Sequence, residues 1–242
     1  MFVMETSRDT SIPEPPWRAS RRARTARTPL SREAIVDAAL RVVDREGTDA
    51  LSMRRVAEEL GTGPASLYWH VSSKDELINL LVDRVVGEVE LPEPDPAHWQ
   101  EQFREWAHRT REVFRRHPGV GGLTLGRVPV GPNLIRLAEA TLALLRGAGI
   151  PDRIAAYAPD LLGLYLGAIS YEESLGFPSP TGEDLPPEQI VQMIRDYFAS
   201  VPADRFPNVH ATLDDLVSGG PDQRFELGLE IILRGFASYI QR

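Results

Sequence analysis

The chain has 242 residues, 42% of them apolar and 26% charged; the length suits one large domain or two modest ones, and the balance excludes global disorder. It has no cysteine, which excludes disulfides, thiolate nucleophiles and cysteine-ligated zinc. The formal net charge is −8, and an even spread of that charge would repel nucleic acid. In chain order, residues 1–29 have no helical or strand period and contain Pro13, Pro15, Pro16 and Pro29, so they read as a mobile arm. This arm carries six arginines against three acids, whereas residues 89–242 carry 14 basic and 21 acidic side chains. The N-terminus lacks a long apolar core of the secretory kind. The longest apolar stretch, residues 161–169, is far below the roughly 18 residues of a membrane span. A soluble cytoplasmic protein with no membrane partner is expected.

From Ser31, a predicted N-cap, Ile35, Ala38, Ala39, Val42 and Val43 recur at helical spacing up to Gly47. A second short helix opens at Ser52 and runs through Val56, Ala57 and Leu60 to Gly61. A third, PASLYWH, begins with Pro64 at the favoured first position. A fourth opens with Ser73, matches the S-x-x-E capping box at Glu76, and is predicted to continue to about Glu90. Three prolines in residues 91–98 mark a boundary. Beyond it, helical stripes start at Trp99, Leu134, Leu161, Ile190 and Phe225, separated by loops at GVGG, GFPSPTGEDLPPE and VSGGPD. No segment alternates like a strand. The expected fold is all-α: an arm (1–30), a helix-turn-helix module with its connecting helix (31–90), and a larger helical domain (91–242).

Two short helices around Gly61-Thr62-Gly63 have helix-turn-helix proportions. In that arrangement the second helix enters the major groove by its N-terminal residues. Here that edge is Pro64, Ala65 and Ser66, preceded by Thr62 and Gly63, all small enough for close approach to base edges. Tyr68 and His70 are placed to reach phosphates or a base edge, and Trp69 adds an aromatic face. Ser52, Arg54, Arg55 and Lys74 stand at helix starts, which suits phosphate contact. Tyr and Trp in a three-helix unit are often core. With Leu67 and Val71 pointing inward, however, Tyr68, Trp69 and His70 cannot all do so. The flexible Arg21, Arg22, Arg24 and Arg27 are expected to reach phosphates or the minor groove.

On these residues, and on AIVDAAL, SLYWHV and the following K-x-E-L, residues 31–90 resemble the DNA-binding domain of the tetracycline-repressor family of bacterial regulators. More loosely, HPG at 117–119, PNL at 132–134 and RFELGLEIILRGF at 224–236 resemble that family's ligand-binding and dimerising domain. The resemblance implies a base- or phosphate-contacting role for Arg54, a groove-reading role for Ser66, phosphate contacts for Tyr68 and Lys74, and a place near the operator for His70. Pro64 and Ala65 depart from the more polar residues of tetracycline repressors, implying a different operator. Thr124 stands where the family has a magnesium-binding histidine, which argues against a metal–tetracycline effector; no cofactor or metal is expected.

The resemblance further implies a homodimer on a palindromic double-stranded DNA operator and a small-molecule effector that releases it. The pocket candidates are Trp99, Phe103, Trp106, Phe114, Asn133 and Tyr165, although aromatic stripes are more often core than pocket. Residues 161–169 and 225–240 are apolar enough to form the dimer. Two other readings are an enzyme and an architectural DNA-binding or interaction module without effector control. The histidines at 70, 98, 108, 117 and 210 show no H-E-x-x-H spacing, and no P-loop or nucleophile elbow occurs.

Overall fold

A computed structural model describes residues 30–128, 130–176 and 179–240, and within them no strand occurs. The first four helices are α1 (Arg32–Glu46), α2 (Met53–Glu59), α3 (Pro64–Leu67) and α4 (Lys74–Val86). Each of α1, α2 and α4 begins on a serine whose hydroxyl accepts a first-turn N–H. Ser31 takes that of Ala34, Ser52 that of Arg55 and Ser73 that of Glu76, all at 3.1 Å. Ile35, Ala39, Val56, Ala57, Leu67, Val71, Leu77 and Leu81 close one buried core among the four helices. Fully burying one of the Val, Leu or Ile side chains contributes roughly 1.5–3 kcal/mol.

Three expectations need correction here. The helix predicted as PASLYWH stops at Leu67, and residues 68–70 are a tight turn in which the N–H groups of His70 and Val71 both donate to the Leu67 carbonyl at 2.9 Å. The capping box is shifted, because Glu76 reaches the N–H of Ser72 at 2.6 Å. Helix α4 ends at Val86 rather than near Glu90. Beyond it, Glu88 and Val89 close short-range turns onto the carbonyls of Val85 and Val86.

The larger half comprises α5 (Trp99–Arg116), α6 (Val120–Thr124), α7 (Pro132–Gly147), α8 (Asp152–Ala155), α9 (Ala158–Leu175), α10 (Pro187–Ser200), α11 (Pro207–Ala211), α12 (Leu213–Val217) and α13 (Pro221–Ala237). Helices α5, α7, α9 and α13 continue the same buried core into the larger half. Within it, Phe103 meets Trp106 and Phe236 edge-on, with ring centroids 5.3 and 6.0 Å apart. GVGG, expected as loop, opens into α6, which lies against α9. A Cβ on Gly167 would stand 3.1 Å from the Gly121 carbonyl, so the two backbones need glycine to approach this closely. Helix α10 packs mainly on α11 and α12.

The two halves are bolted together. His117, at the end of α5, meets Asp44 of α1 through Nδ1 at 2.8 Å and Glu88 through Nε2 at 3.3 Å. Asp83 of α4 holds the start of α7.

Candidate nucleic-acid interface

Helix α3 is fixed from beneath and free above. Leu67 and Val71 are fully buried, while Tyr68 is 53% and Trp69 89% exposed, so the inward anchors force both aromatic rings outward. Gly63, Pro64 and Ala65 are exposed beside them. Ser66 is turned into its own turn: its hydroxyl donates to the Gly63 carbonyl at 2.6 Å and pairs with the Thr62 hydroxyl at 2.8 Å. That pair stiffens the turn. His70 is half-buried, and its carbonyl accepts from Nε of Arg32 at 3.3 Å. Lys74 is exposed at the start of α4. The structure thus gathers Gly63, Pro64, Ala65, Tyr68 and Trp69 around one projecting turn with Lys74 nearby, while Ser52 is engaged as a helix cap.

The arginines split. Arg54 is largely exposed and pairs with Glu58 of its own helix at 3.0 Å, a contact weak enough to exchange for a phosphate. Arg55 points the other way: its Nη2 lies 2.6 Å from Glu46 and its Nε 2.8 Å, with Glu59 at 3.4 Å. Arg41 and Arg45 close the same cluster onto Glu59. The Arg55 hydrogen bonds, then those of Arg45, hold the Glu46 carboxyl at about 2, well below the ordinary carboxylate range. The cluster ties α1 to α2 and commits Arg55 to that joint. Its i,i+4 half, Arg55–Glu59, is visible in sequence spacing; Glu46 is not.

Residues 31–90 hold seven cationic and twelve acidic side chains. Many of the acids are spent on structure: Glu46 and Glu59 in the cluster, Asp44 and Glu88 on His117, Asp83 on α7, and Asp75 on Arg127 at 2.9 Å. Arg21, Arg22, Arg24 and Arg27 lie outside the described residues.

The six pocket candidates do not share one cavity. Trp99, Phe103 and Trp106 are buried in the core of the larger half. Asn133 clasps Asp83, and the Tyr165 hydroxyl donates to the Phe225 carbonyl at 2.7 Å. Phe114 alone among them borders a sizeable cavity of about 690 Å³ between α5, α9, α10 and α13, walled also by Pro118, Ile169, Pro187 and Val191. Beside it, Arg111 is buried, contacts Glu173, reaches Asp222 at 2.8 Å and lies 4.3 Å above the Phe225 ring. Burial pushes the Glu173 carboxyl up, but Arg111 and Arg115 outweigh it and the net shift is downward.

The comparisons with known proteins match both halves. A profile described as "Bacterial regulatory proteins, tetR family" covers residues 35–81, and one described as "Tetracyclin repressor-like, C-terminal domain" covers residues 91–240. An HTH-type transcriptional regulator of Saccharopolyspora erythraea is 35% identical over 69% of this chain and 72% of its own length. The HTH-type transcriptional repressor DrrR1 of Streptomyces coeruleorubidus is 37% identical over 56% of this chain and 51% of its own. The crystal structure of the TetR family protein ActR of Streptomyces coelicolor, in complex with actinorhodin, superposes with a TM-score of 0.77 at 43% identity, covering 87% of this chain and 97% of ActR.

Proposed function

The chain belongs to the tetR family of bacterial regulatory proteins, which are DNA-binding transcriptional regulators, and from that premise we propose a homodimeric, cytoplasmic repressor that a small molecule releases from a palindromic operator. The observation that carries the reading is the projecting α3 turn. An apolar anchor at Leu67 is sealed inside while Pro64, Ala65, Tyr68 and Trp69 stand in solvent. An exposed Trp beside an exposed Tyr has no folding rationale in so small a module, and both suit contact with a duplex. Ala65 and Pro64 face base edges, Tyr68, Lys74 and Arg54 meet phosphates, and the arginine arm supplies the positive charge that residues 31–90 lack as a whole.

Dimerisation rests on two helix faces. On α9, Leu161, Leu164, Ala168, Tyr171 and Leu175 form an exposed stripe that starts at Tyr157, at alternating spacings of four and three. On α13, Leu227 and Ile231 are exposed one turn apart. Their spacing is that of helices packed along their length. A two-fold axis through these faces presents two α3 turns roughly 34 Å apart, one turn of DNA.

The effector is assigned to the larger half. The 690 Å³ cavity falls within the roughly 300–1,000 Å³ of small-molecule sites, and ActR, of the same family, has been solved with actinorhodin. The experiment is enrichment of duplexes from a random library by the full chain. An inverted repeat whose half-sites are one turn apart supports the reading. Recovery of unrelated sequences refutes it and favours an architectural role.

A further inference from the structure

We propose that Asp83 is a positioning residue that couples the DNA-reading module to the effector half, by serving from α4 as the N-cap of α7. The inference rests on the repressor reading for its functional consequence. Helix α7 cannot cap itself. Its N-cap is Gly131, which has no side chain, and Pro132 at the first position has no N–H. The next two donors, the N–H groups of Asn133 and Leu134, both end on Oδ1 of Asp83, each at 3.0 Å. Asn133 Nδ2 adds bonds to Oδ2 and to the backbone carbonyl of Asp83, each at 3.1 Å. Asp83 is 7% exposed, and its carboxylate sits on the positive end of a 16-residue helix.

The surroundings are shaped to this contact. Gly131 has φ +154, and a Cβ there would stand 2.2 Å from Oδ1 of Asp83. At the end of α4, a Cβ on Gly87 would stand 2.9 Å from Nδ2 of Asn133. Side chains at either position would drive the clasp apart. Farther along α7, Arg136 donates to the Val89 carbonyl at 3.2 Å, a second tie to the segment just beyond α4.

The clasp matters for regulation because of what α4 carries. Its 13 residues span about 20 Å as one rigid rod. At its start, Leu77 and Leu81 are sealed into the core that holds Leu67 and α3. At its end, Asp83 grips α7. Apolar contacts such as those of Val82 and Leu134 tolerate sliding, whereas a carboxylate on two backbone N–H groups does not. A cavity of about 190 Å³ lies beside the clasp, walled by Asn79 and Val82 of α4, Leu134 of α7 and Leu164 of α9, so the joint has room to shift. Asp83 therefore sets the angle at which the effector half holds the α3 turn.

The test uses the absence of native cysteine. Asp49→Cys and Glu139→Cys, both exposed, place one spin label on the DNA module and one on α7 of the same protomer. Pulsed electron paramagnetic resonance on the full chain, diluted with unlabelled chain, reads the distance distribution. Asp83→Ala is expected to broaden or shift that distribution and to weaken binding to the selected duplex at least tenfold, with helical content retained. Asp83→Asn, which keeps Oδ1 facing both backbone N–H groups and gives up only the bond from Asn133 Nδ2 to Oδ2, is expected to stay within about threefold of wild type. Phe103→Leu, which loosens the core of the larger half but removes none of the clasp's hydrogen bonds, is expected to leave the distribution closer to wild type than Asp83→Ala does. An unchanged distribution in Asp83→Ala, or an equal change in Phe103→Leu, overturns the proposal. Should Asp83→Ala not fold, Asn133→Ala decides in its place: it removes only the side-chain half of the clasp and is expected to broaden the distribution less, and no broadening overturns the proposal. A chain that selects no duplex refutes the repressor reading and leaves the distance measurement intact.

Discussion

Ile231→Asp puts the proposed dimer face under the most direct load. Ile231 is 62% exposed in the protomer and stands in the middle of α13. Fully burying an isoleucine side chain contributes roughly 1.5–3 kcal/mol, so burying the exposed share contributes about 1–2 kcal/mol per copy. Two copies meet across a two-fold axis, and losing both contributions costs about 2–4 kcal/mol. At about 1.4 kcal/mol per decade, that raises the dimer dissociation constant roughly 30- to 1,000-fold before any charge is counted. Two unpaired carboxylates buried in the interface add to the loss. Sedimentation equilibrium on the full chain measures the constant, and circular dichroism checks that the protomer keeps its helices, since Ile231 is not a core residue. An unchanged dimer constant would refute the assignment of this face. A monomer that still binds the selected duplex at wild-type affinity would refute the need for two copies.

Other outcomes follow from the same geometry. Deleting residues 1–28 removes six arginines per copy, and with Arg21, Arg22, Arg24 and Arg27 on phosphates the slope of log affinity against log salt is expected to flatten by up to about 7 for a dimer; an unchanged slope removes the arm from the interface. Arg54→Ala is expected to flatten the slope by about 2 per dimer, one phosphate per copy, if it meets backbone; loss of preference at one base position would make it a base reader instead. Leu67→Ala, at a fully buried anchor, is expected to destabilise the module by about 2–5 kcal/mol in thermal unfolding, and a loss below about 1 kcal/mol would contradict the packing described for α3. Because the Glu46 carboxyl is held down at about 2 in the fold, its pairing stabilises the protein above the ordinary value of 4.5 and is lost as pH falls through about 2. The stability gap between wild type and Glu46→Gln is therefore expected to be full near neutral pH and to close between about 4.5 and 2; a gap independent of pH contradicts the cluster.

Local signals in the sequence were reliable where the structure is local. The caps Ser31, Ser52 and Ser73 act on neighbours three residues away, and each is where spacing put it. The outward placement of Tyr68 and Trp69 is legible from the apolar anchors Leu67 and Val71 on either side of them, even though the turn at 68–70, not a helix, carries them. What escaped was set by distant partners. Helix α6 forms from a glycine-rich stretch because α9 lies against it, and no local propensity announces that. Helix α4 ends at Val86, and the Gly87 that follows is kept free of a side chain by Asn133, nearly fifty residues away. Arg55 looked like a phosphate contact from its place at a helix start, but Glu46 across the turn claims it. The aromatic stripe of α5 is the same pattern whether it lines a pocket or fills a core; the packing of Phe103 against Trp106 and Phe236 makes it core.

The central claim is that two copies of the α3 turn enter one duplex by their leading edge. Ala65→Cys, the single thiol in the chain, accepts an iron chelate that cuts DNA within reach of that edge. On the selected duplex, the account predicts two clusters of cuts, symmetric about the centre of the inverted repeat and one helical turn apart. A single cluster, or cuts scattered without symmetry, would contradict it.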